Sequence, residues 1–189
     1  MLHFHRTMDA PPPSAGPAAR RVALAGLGLA LAIALQALGL PNPVTGVAVN
    51  AVFVVLVGLA GKAPAVTVGL LTPLGAALTG HLPVLLLPLA PLIALGNAAF
   101  VHLYARGSRP PSAWRWVTGP GMKSAIIGGG GVILTRVADL PPALQAALLV
   151  IVAIQFGTAL GGVALGEFLL ARVTDHRPDD PTAGDVARR

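Results

Sequence analysis

Cysteine is absent from the chain, and disulfide frameworks, thiolate metal sites and cysteine nucleophiles go with it. Charge is scarce: 11% of the residues are Asp, Glu, Lys or Arg, where a soluble domain carries about a quarter. Those charges collect at the two ends and in short loops, so a soluble globular domain is excluded. A phosphate loop, HExxH and GxSxG are also missing, and no enzyme and no cofactor are expected. His3 and His5, near the N-terminus, could bind a metal, but a solvated tail accounts for them.

Hydrophobic residues fill the space instead, at 54% of the 189 residues, with a mean hydropathy of +0.76. A helix needs ~20 apolar residues to cross a hydrocarbon core of ~30 Å. On that scale the sequence divides into six segments, Val22 to Leu38, Val44 to Ala60, Pro64 to Gly80, Pro83 to Tyr104, Pro120 to Val137 and Ala143 to Ala171. Turn chemistry separates them: "GLPNP", "GKAP", "TGHLP", "RGSRPPSAWRWVTGP" and "ADLPP". The period-two polarity of barrel strands is absent, so the expected fold is all-α, an integral membrane bundle of six transmembrane helices. Residues 22–172 form the membrane domain, and 1–21 and 173–189 are expected to be disordered cytoplasmic tails.

Lys and Arg orient the bundle. Arg20, Arg21, Lys62, Arg106, Arg109, Arg115, Arg172 and Arg177 fall on one side if the spans number six, with Trp114 and Trp116 as interfacial anchors there. Both termini are then cytoplasmic, in the plasma membrane. A cleaved first segment would leave five spans, which fits the charge pattern less well than six. Anionic lipid accounts for the formal charge of +6, and no nucleic-acid motif accompanies it.

Polar residues inside such spans are costly and face a protein interior, a cavity or a partner. Gln36, Asn42, Thr45, Asn50, Thr72, Thr79, His81, Arg136 and Gln145 gather in or beside the outer half, with Asn97 and Gln155 near the middle. Lys123 and Glu167 lie near expected helix ends, where they can snorkel. The distribution points to a pocket open outward and closed below. Candidate binding residues are Asn42, Thr45, Asn50, Thr72, His81, Asn97, Arg136 and Gln155.

Asn50, about two turns in and roughly 9 Å deep, is either the pocket floor or a hydrogen bond to a neighbouring helix. Arg136 either pairs with Asp139 or reads an anionic ligand group. Pro73, Pro88 and Pro91 lie within spans, where each would free a carbonyl for a neighbour or a ligand. Gly128 to Gly131, inside a hydrophobic span, suit close helix packing. Gly26, Ala30 and Ala34 form a stripe at four-residue spacing that lets a partner helix approach.

These features, with the wording from "LQALGLPNPVTGVAVNA" through "LLTPLGAALTGHLPVLLLPLAPLIALGNAAF", resemble the substrate-binding S component of energy-coupling-factor (ECF) transporters. The resemblance covers Val22 to Ala171. It implies a high-affinity binder of a vitamin or related micronutrient. Such a binder docks through its first helix on a transmembrane T component driven by two cytoplasmic ATPases. It also implies a ligand beneath the loop Gly39 to Thr45 and against spans four to six. A corrinoid, with His81 as metal ligand, is one conceivable cargo. The alternatives are a small stand-alone secondary transporter or channel, and a membrane assembly subunit that binds nothing.

Overall fold

The computed structural model describes residues 16–106, 113–138 and 140–175, with the side chains of Ala113, Arg115 and Asp175 left aside. The described residues form six α-helices and one 3-10 turn and contain no strand. The helices are α1 (Pro17–Ala37), α2 (Asn42–Ala60), α3 (Lys62–Leu78), α4 (Ala90–Arg106), α5 (Ala113–Val137) and α6 (Pro142–Asp175); the 3-10 turn covers Val84–Leu89 before α4. Four stretches are long and apolar enough to cross a membrane: Pro17–Ala37, Asn42–Ala60, Val84–Arg106 and Pro142–Thr174. The chain is therefore a membrane protein built of helices. Of the remaining two helices, α3 is shorter at 17 residues, and the glycines and Lys123 of α5 dilute its hydropathy.

Helix starts carry proline in the first turn of α1 and α2, where no intrahelical N–H is needed. Gly61, the single residue between α2 and α3, has φ 93°, and Gly80, just past α3, has φ 71°. Both ends need the left-handed backbone that glycine adopts without a Cβ penalty.

Four boundaries differ from those expected. α1 begins at Pro17, inside the segment expected to be a tail, and α6 runs on to Asp175; residues 1–15 and 176–189 lie outside those described. The fourth segment divides, because a 3-10 turn precedes α4. α5 begins seven residues before Pro120, so Trp114 and Trp116 belong to its first turn, where both are exposed. Arg109 and Arg177 lie outside the described residues.

Glycine sets the closest helix contacts. α2 packs on α6 with Gly46, Gly162 and Gly166 at the seam: a Cβ on Gly46 would stand 2.8 Å from Thr158 Cγ2, and one on Gly166 would stand 2.6 Å from Val54 Cβ. The Gly128–Gly131 run serves α5 in the same way, as a Cβ on Gly128 would meet Val152, on Gly130 Leu92 and on Gly131 Leu148. A core of Phe53, Val54, Val68, Phe100, Val101 and Val163 fills the middle of the bundle. Nearer the end of α4, the Tyr104 hydroxyl donates to Glu167 Oε1 at 3.2 Å.

Candidate functional site

At the end of the bundle where α1 joins α2 and α3 turns toward α4, a cavity of about 200 Å³ opens between the helices. Asn42, His81 and Pro83 stand toward its mouth, where Asn42 and Pro83 are exposed and His81 is half-buried. Thr45, Asn50, Thr72, Asn97 and Lys123 line it further in and are all buried. Leu86, Leu89, Ile93, Ile151 and Ile154 give it apolar walls. The stretch His81 to Leu89 reaches the cavity because Gly80 reverses the chain and the Leu82 N–H donates to Ala76 O at 2.9 Å.

Of the eight residues singled out from the sequence, seven line this one cavity: Asn42, Thr45, Asn50, Thr72, His81, Asn97 and Gln155. Arg136 does not. It is exposed in the last turn of α5, away from the lining, and Asp139, its expected partner, lies outside the described residues.

The floor rests on two amides. Asn50 donates through Nδ2 to Gly46 O, one turn back, at 2.8 Å. Its Oδ1 is thereby turned outward and accepts from Lys123 Nζ at 2.9 Å. Asn50 thus makes a bond to a neighbouring helix and lines the cavity, joining the two readings that the sequence leaves open. Asn97 Nδ2 donates to Gly69 O at 3.1 Å. Pro73 lies inside α3 four residues beyond Gly69 and has no N–H to offer that carbonyl, so Asn97 supplies the missing donor. Pro88 and Pro91 act differently, since the first sits in the 3-10 turn and the second in the first turn of α4.

Two acceptors remain over. Asn97 Oδ1 and Gln36 Oε1 are buried with no hydrogen-bond partner among the described residues, and both side chains line the cavity. Thr72 donates its hydroxyl to Val68 O at 2.6 Å and Thr158 to Gln155 O at 3.3 Å, which leaves their oxygens able to accept. No group of three or more His, Cys, Asp or Glu able to hold a metal occurs among the described residues.

Three polar lining residues, Gln36, Lys123 and Thr158, are not among those eight, and Lys123 carries the most consequence. Its side chain does not reach for a membrane surface: it is 3% exposed, ten residues into α5, with Nζ 6.0 Å from the centre of the Phe100 ring. The signal is a lysine inside an apolar stretch: a helix starting at Pro120 puts it near an end, whereas α5 starts at Ala113.

Gly26, Ala30 and Ala34 take the opposite position. All three are exposed, and a Cβ added at Gly26 would meet nothing within 4 Å. Gly28, Ala32 and Gln36 form the buried face of α1.

The chain matches no protein-family model, no curated protein and no solved structure in the comparisons made.

Proposed function

We propose that the chain is the substrate-binding S component of an ECF-type transporter, a membrane-embedded, high-affinity binding subunit for a vitamin or related micronutrient. The observation that carries this reading is the cavity, polar and buried at its floor and open at one end of an apolar helical bundle. Convergent buried polar groups within apolar walls are the usual composition of a small-molecule site.

In this reading the bundle crosses the plasma membrane six times, α3 and α5 being held within it by their neighbours. Arg20 and Arg21 at the start of α1, Lys62 at the α2–α3 junction, Arg106 ending α4 and Arg172 near the end of α6 belong to the end away from the cavity. The positive-inside rule then places both termini in the cytoplasm and opens the cavity outward. The exposed stripe Gly26, Ala30 and Ala34 is the docking face for a T component, itself driven by two cytoplasmic ATPases.

One observation favours a stand-alone carrier: charged groups inside membrane helices often mark ion-coupled pathways, and Lys123 is one. Purification of the full-length chain from mildly solubilised membranes separates the two. The S-component reading predicts a stoichiometric complex with a second membrane protein and two ATPases, lost in Ala34→Trp while the chain stays folded. A chain that transports alone in liposomes, without ATP, overturns it.

A further inference from the structure

We infer that the cavity takes a small organic anion, seated with its charged group against Lys123 and its apolar body against the leucine and isoleucine walls. The inference rests on the cavity being a binding site, as proposed above, and names the class of ligand.

Protonated, Lys123 is an ammonium group with three N–H donors, and it is buried among the helices. One donor goes to Asn50 Oδ1, at 2.9 Å. That amide is neutral, and its orientation is already fixed by the bond from Nδ2 to Gly46 O. The Phe100 ring, 6.0 Å away, lies at the outer limit of a cation–π contact. No Asp or Glu is among the described residues lining the cavity. A buried cation is costly unless it is paired and hydrogen-bonded, and Asn50 supplies the hydrogen bond without the counter-charge. An anion entering the cavity supplies what is missing, and the contact is strong because water is largely excluded.

Volume sets a second requirement. About 200 Å³ lies below the usual range of pockets for drug-sized ligands. This suits a short-chain or single-ring acid better than a corrinoid.

The test uses the full-length chain in nanodiscs of zwitterionic lipid, titrated by calorimetry with acetate, propanoate, butanoate and pentanoate and with the matching neutral primary amides. The expected result is saturable binding of at least one carboxylate, at least tenfold tighter than its amide. Lys123→Met abolishes that preference, and Arg172→Gln, which removes an equal charge at the far end of α6, keeps it. Carboxylate and amide binding equally well overturns the anion inference and leaves the cavity a binding site. The same holds if Lys123→Met keeps the preference. Binding of neither series overturns the anion inference, and the binding-site reading falls only if the chain purified from its own membranes also carries no small molecule. The comparison within the wild-type chain decides the matter even if Lys123→Met does not fold.

Discussion

Asn97 and Pro73 form a pair that proximity in sequence does not reveal, 24 residues apart and joined through the carbonyl of Gly69. Asn97→Leu leaves that carbonyl buried without a donor, at a cost of about 1–2 kcal/mol. Pro73→Ala restores an N–H at the position that can reach it. The double variant Pro73→Ala, Asn97→Leu should therefore melt higher than the sum of the two single changes allows, which a double-mutant cycle of thermal unfolding in nanodiscs measures. Additive losses would show that the two residues are not coupled. Asn50 and Lys123 obey a sharper asymmetry. Asn50→Leu leaves an ammonium buried without its acceptor, whereas Lys123→Met leaves only an amide oxygen unpaired. Asn50→Leu is expected to be the more destabilising of the two by at least about 1 kcal/mol, and adding Lys123→Met to it should recover stability. Seven cavity residues were legible in the sequence because an amide, a hydroxyl or an imidazole in an apolar run is conspicuous and has few uses there. Arg136 was equally conspicuous, but it lies in the last turn of α5, where an exposed guanidinium needs no partner in the protein.

At the scale of the helices, the apolar runs announced themselves by length, and the turns by proline and glycine. α5 is the exception, and it explains the misreading of Lys123. "TGP" at Thr118 to Pro120 reads as a turn, yet here it is helical. Gly119 lets α5 settle on Phe100, since a Cβ there would stand 2.8 Å from Phe100 Cδ2, and Pro120 is buried in the same contact region. Tertiary packing has overridden local turn chemistry. Starting the helix at Ala113 moves Lys123 from its end to about 15 Å along it. Glycines on this scale are of two kinds, and substitution distinguishes them. Gly129 is exposed with open space around it, so Gly129→Ala should stabilise the helix by up to about 1 kcal/mol. A Cβ on Gly162 runs into Asn50 itself, with the Asn50 carbonyl carbon 2.9 Å away, and backbone cannot move aside as a side-chain tip can. Gly162→Ala should cost about 1–3 kcal/mol by forcing α6 off α2. Thermal melts of the two variants in opposite directions would bear this out; two shifts of the same sign would not.

The whole molecule has a polar, hollow end and a basic, closed end. The absence of cysteine makes its orientation simple to measure, since single cysteines can be introduced without background labelling. Pro83→Cys, beside the cavity mouth, should react with a membrane-impermeant maleimide on intact cells, and Lys62→Cys, at the other end, only after lysis. The reverse pattern would turn the cavity toward the cytoplasm and remove the case for uptake. The central claim, that the hollow end holds one small molecule, is tested most directly by native mass spectrometry of the full-length chain purified from its own membranes. Wild-type protein is predicted to carry a single small-molecule adduct at one-to-one stoichiometry, and Ile93→Trp, which fills the cavity from its α4 wall, to appear at the bare protein mass while remaining folded. An adduct retained in full by Ile93→Trp, or a wild-type chain that keeps bound lipid yet carries nothing else, would contradict it.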